Sequence, residues 1–108
     1  MDKKKREIIK RIEKLVDPYR ITRGNKFRLK DIDPGDTGGY GSEAKPRARE
    51  MLAQRVQWMA EEQGKFYADA RHSMLLVFQA MDAAGKDSTI SHVMSGVNPQ
   101  GCQVYSFK

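Results

Sequence analysis

The chain has one cysteine, one tryptophan and four prolines in 108 residues. With Cys102 alone, no disulfide can close within the chain, which fits a reducing compartment. The thiol reads as packing, not chemistry. No apolar stretch approaches 18 residues, so nothing reads as membrane-crossing. The charged N-terminus lacks the apolar core of a secretion signal. Low-complexity tracts and internal repeats are also missing. A cytoplasmic protein is the expectation. Acidic residues are the scarcer sign, 14 against 20 Lys and Arg, for a net charge of +6. That balance suits a polyanion partner. Much of the excess sits in Lys3, Lys4, Lys5, Arg6, Lys10 and Arg11, and such a run reads first as a solvated helix face.

What is present falls into alternating periodic and turn-rich stretches. Ile8, Ile9, Ile12, Leu15 and Val16 recur at helical spacing, which predicts an amphipathic helix over 3–16, ended by Asp17 and Pro18. Residues 21–32 are weakly strand-like, with a hairpin turn expected at Gly24 and Asn25. There Lys26, Arg28 and Lys30 either line an anion path or simply face solvent. Residues 33–42, DPGDTGGYGS, are dense in turn formers and predict a loop. From Ser42 to about Ala70 the pattern predicts a long helix, capped by Ser42 or begun by Lys45 and Pro46. Its stripe of Ala48, Leu52, Val56, Met59 and Phe66, with Trp58 alongside, is the expected core-facing side. Gly64 weakens the helix locally.

Residues 73–108 hold the chemistry. Met74, Leu75, Leu76, Val77 and Phe78 form a continuous apolar run, short enough for a strand buried on both faces. A turn, AMDAAGK, follows at once, and a helix is expected from near Lys86 with Ile90, Val93 and Met94 on one side. A strand turning into a helix presents unpaired N–H groups and a helix dipole to an anion. Ala83, Ala84 and Gly85 allow close backbone approach, and Lys86 adds a positive charge. This is the logic of the phosphate loop GxxxxGK[ST]. The first glycine is replaced by Ala80 and the Ser/Thr after the lysine by Asp87, with Ser88 and Thr89 just beyond. A bare Gly-Lys pair arises by chance in roughly every second or third chain of this length. The flanking strand and helix patterns therefore carry the weight. Asp82 would repel phosphates unless a cation lay between them, so it reads either as a Mg²⁺ ligand or base, or as a turn-forming aspartate. Gly96 is placed to stop the helix, and residues 97–101 lead tightly into a second apolar segment, 102–107.

The run QAMDAAGKDSTISHVMSGVNPQGCQVYSFK, together with the upstream DIDPGDTGGYGSEAK, resembles the polyphosphate kinase 2 family. The second stretch is similar to that family's N-terminal DPxDT signature, and the likeness runs from about Tyr19 onward. Ala80 and Asp87, departures from the general phosphate loop, both occur within the family. The resemblance implies an α/β fold: a P-loop kinase-like parallel sheet flanked by helices. It implies phosphoryl transfer between inorganic polyphosphate and AMP or ADP, with Mg²⁺. Asp82 would be the catalytic, metal-associated aspartate and Lys86 the catalytic, phosphate-binding lysine. Ala83, Ala84, Gly85, Asp87, Ser88 and Thr89 would complete the phosphate-binding loop. At full length a homo-oligomer is expected, and neither nucleic acid nor a membrane is expected as a partner.

A fold of this kind needs several βα units of about 30 residues or more each. The sequence holds one such unit and part of the next strand. The expectation is therefore an N-terminal piece: an extension over 1–41, then the start of the kinase domain over 42–108. The family's second aspartate and its lid arginines would lie beyond residue 108, leaving the piece inactive alone. Two other readings stay open: an ATP-using nucleoside monophosphate kinase, and a non-catalytic fragment that binds polyanions through its charge.

Overall fold

A computed structural model describes residues 1–107. Contacts divide the chain into two units, Met1–Glu43 and Ala44–Lys108.

The first unit is built on helix α1, Lys3–Val16. The Asp2 side chain accepts from the Lys4 N–H at 3.4 Å, satisfying one of the donors a helix start leaves open. Ile8, Ile9, Ile12 and Leu15 are its half-buried residues, together with Lys5. Pro18 sits in the 3-10 turn Asp17–Tyr19 that ends the helix. The strand-like stretch 21–32 is not a hairpin. It forms two 3-10 turns, Gly24–Lys26 and Leu29–Asp31. Phe27 and Leu29 are both exposed, so no apolar face rewards strand pairing there.

The second unit holds helix α2, Lys45–Asp69, with Pro46 in its first turn. It ends at Ala70, whose φ of 52° is left-handed, the geometry that usually selects glycine after a helix. Helix α3 is short, Lys86–Val93, and a 3-10 turn follows at Pro99–Gly101. That turn lies on the C-terminal half of α2. A Cβ on Gly101 would meet the Gln63 side chain and the Tyr67 ring, and one on Gly96 would lie 3.5 Å from Ala60 Cβ. Ala60, Gln63 and Tyr67 stand three and four apart, on one helical face. Gln63 Nε2 reaches Cys102 Sγ at 3.8 Å beside the same turn.

The expected parallel sheet is absent: among the described residues there is no strand. Residues 74–78, expected to be buried on both faces, are exposed, Leu75 by 87% and Val77 by 81%. Val104, Tyr105 and Phe107 are exposed as well. Strand geometry persists only when neighbouring strands take up its N–H and C=O groups. The two apolar segments do not pair with each other, and no residue among those described is fully buried. The stripe of α2 consequently has no sheet to cover: Val56 and Met59 are half-buried, while Ala48, Leu52 and Phe66 are exposed. No helix among the described residues is long and apolar enough to cross a membrane.

Candidate functional site

The bend between residue 81 and α3 is built from three local devices. The Ala84 N–H donates to the Met81 carbonyl at 3.2 Å, closing a turn. Ala83 takes a left-handed φ of 60°, uncommon for a residue with a side chain. Gly85 then caps α3 with φ 88° and ψ 9°. Glycine alone adopts that geometry without strain. The first i→i−4 bond of α3 runs from Thr89 N–H to Gly85 O at 3.0 Å. The N–H groups of Lys86, Asp87 and Ser88 therefore have no intrahelical acceptor. A left-handed residue followed by a helical one turns successive N–H groups toward a common concavity, a backbone nest suited to an anion.

The side chains are arranged less uniformly. Asp82, Ala83, Ala84, Gly85, Asp87, Ser88 and Thr89 are all exposed, and Lys86 is half-buried. The Lys86 ammonium donates to Asp87 Oδ1 at 2.7 Å. Thr89 spends its hydroxyl proton inside the helix, donating to the Gly85 carbonyl at 2.9 Å. That bond supports the bend and leaves the hydroxyl oxygen only as an acceptor. Among the described residues no cluster of three or more His, Cys, Asp or Glu side chains could hold a metal by itself. Mg²⁺ does not require one, since it keeps waters and takes one or two carboxylates together with substrate phosphates. A single exposed Asp82, next in the chain to the left-handed Ala83, is of the residue type that mode uses.

The glycine-rich loop of the first unit has its own order. Asp33 Oδ1 accepts from Gly35 N–H and Asp36 Oδ1 from Gly38 N–H, each at 2.8 Å. These are two consecutive Asx turns. Asp36 Oδ2 also accepts from the Tyr19 hydroxyl at 2.8 Å, tying the loop to the chain just after α1. The Gly38 N–H first, and the Tyr19 hydroxyl second, hold the Asp36 carboxyl below the usual carboxylate range. The bond to Asp36 pushes the Tyr19 phenol up, with desolvation and the carboxylate's charge adding to it. Gly38 is left-handed, and a Cβ there would lie 3.3 Å from Tyr19 Oη. Sequence reading found a loop here but not this contact. The repeated Asp-x-Gly spacing announces the Asx turns; nothing in the sequence announces Tyr19.

A family model described as polyphosphate kinase 2 matches residues 42–108. The chain belongs to the polyphosphate kinase 2 family. Two curated relatives of this family share most of the chain. An ADP-polyphosphate phosphotransferase of Rhodopseudomonas palustris is 56% identical over 89 residues, covering 77% of this chain and 31% of its own length. An AMP/ADP-polyphosphate phosphotransferase of Meiothermus ruber is 43% identical over 91 residues, covering 82% of this chain and 33% of its own. The chain thus spans about a third of the length of the curated relatives it matches. No solved structure matches it significantly. The bend at 82–85 and helix α3 both lie inside the stretch matched by the polyphosphate kinase 2 model.

Proposed function

We propose that this chain carries the phosphate-holding loop of a polyphosphate-dependent nucleotide phosphotransferase, with AMP or ADP as the nucleotide. The observation that carries the reading is the bend at 82–85, with left-handed Gly85 capping α3 and Lys86 opening it, within the family-matched stretch. The names of the relatives support inorganic polyphosphate as the donor or acceptor chain. The backbone N–H groups of Lys86, Asp87 and Ser88 bind phosphate oxygens, and the dipole of α3 favours the negative charge. Lys86 neutralises the terminal phosphates. Gly85, Ala83 and Ala84 keep the backbone open to close approach. Thr89 braces the bend through Gly85. Asp82 is the residue that would hold Mg²⁺ and orient the attacking oxygen. When bound, the ion supplies charge neutralisation between the reacting phosphates. Catalysis of this type is positioning and charge stabilisation rather than covalent chemistry by the protein. A cytoplasmic setting belongs to the same proposal.

Lys86→Ala, placed in a polypeptide of the relatives' full length, should remove most phosphate transfer from polyphosphate to AMP or ADP. Near-normal turnover in that variant would end the assignment. Offering ATP and polyphosphate in parallel separates the donors, and rapid turnover with ATP alone would make the protein a nucleoside monophosphate kinase. The 108-residue chain by itself should bind polyphosphate without turning it over.

A further inference from the structure

We propose that Asp87 is the counter-ion that Lys86 must leave when a phosphate chain binds, so that this carboxylate sets the loop's affinity for its anion. The inference rests on the phosphate-holding reading of the loop. Lys86 and Asp87 are the first two residues of α3. Their side chains meet at 2.7 Å, a short charge-assisted contact. The lysine side chain is 31% exposed and the carboxylate 92%. The lysine side chain is thus partly covered and its ammonium already partnered, while the partner carboxylate stands in water. In the general phosphate loop the residue after the lysine is Ser or Thr. A neutral hydroxyl there neither holds the lysine by charge nor repels an incoming anion. A carboxylate at this place does both. A phosphate oxygen reaching the N–H groups of Lys86, Asp87 and Ser88 has to draw the ammonium away from Asp87 and accept a negative neighbour.

The Asp87 carboxylate also sits in the first turn of a helix, where its charge suits the dipole. It therefore needs no second partner once the lysine has left, and the exchange is reversible. Because the carboxylate stands in water, its hold on the lysine is modest. Removing it should tighten anion binding by about two- to fivefold, the range of exposed ion pairs.

The experiment measures binding of inorganic tripolyphosphate to the 108-residue chain by calorimetry at low ionic strength. The variants are Asp87→Asn, Asp87→Ser, Lys86→Ala and the Asp87→Asn/Lys86→Ala pair. Glu61→Gln, an exposed change of the same charge on α2, corrects for net charge. Both Asp87 variants should bind about two- to fivefold more tightly than the Glu61→Gln control, and the gain should vanish in the Lys86→Ala background. Tightening no greater than the control, or a gain that survives loss of the lysine, overturns the counter-ion role while leaving the loop reading in place if Lys86→Ala still weakens binding. If Lys86→Ala binds as well as the unchanged chain, both readings fall together.

Discussion

At the residue scale, the two hydrogen bonds to Asp36 make the first unit sensitive to pH in a definite direction. The Asp36 carboxyl is held below its ordinary range in the folded chain. Its contribution to stability is therefore fully present above the unfolded value, near pH 4. It is lost as pH falls through the lower folded value. Tyr19 behaves oppositely: its raised phenol contributes below about pH 10 and loses that contribution as pH rises through the folded value. Following the Gly38 amide resonance against pH should show a midpoint below the ordinary aspartate range. Tyr19→Phe should move that midpoint part of the way back, since the Gly38 N–H remains. An unchanged midpoint in Tyr19→Phe would mean that the Tyr19 contact does not form in solution. Left-handed residues form the second residue-scale theme. Gly85→Ala should cost about 1–2 kcal/mol in the stability of the bend and weaken tripolyphosphate binding. Ala83→Gly should relieve strain of similar size, read as increased helicity of 86–93 by chemical shifts.

At the scale of elements, α2 ends on a strained residue. Ala70 adopts the backbone geometry that glycine adopts freely, so Ala70→Gly should stabilise α2 by about 1 kcal/mol. The measurement is amide exchange at the last turn of α2, and faster exchange in the variant would contradict it. Gly101→Ala should push the Gln63 amide aside and shift the Tyr67 ring slightly, because its new methyl group meets both. Loss of contacts between Gln63 and Cys102 in nuclear Overhauser spectra would report it. These two elements also show what the sequence makes legible. The extent of α1 and α2 is readable because the apolar period, Pro46 and Pro18 all act locally. So is the start of α3 at Lys86, where a glycine precedes a helical pattern. The 3-10 turns at 24–26 and 29–31 read as a hairpin in the sequence because alternation of Phe27 and Leu29 with basic residues mimics a strand. Nothing local says that no partner strand will come.

For the whole chain, the decisive property is missing burial. No described residue is fully buried, so the apolar area withdrawn from water is small against the conformational entropy of ordering the chain. The isolated chain should therefore melt over a broad temperature range, its local helices and turns unfolding separately rather than in one sharp transition. A sharp endotherm with native-like heat capacity change would contradict this. The apolar run at 74–78 predicts a parallel-sheet strand, but whether a strand forms depends on distant neighbours, and that dependence is invisible in the run itself. The bend at 82–85 is legible for the opposite reason: its geometry is set by Ala83, Gly85 and Thr89 within a few residues. The stretch between α2 and α3 has a further consequence. Residues 72–80 belong to no helix, turn or ladder and are exposed throughout, with Arg71 just before them. Digestive enzymes thread unstructured polypeptide through their clefts, so brief trypsin treatment should cleave after Arg71 before it cuts within α2.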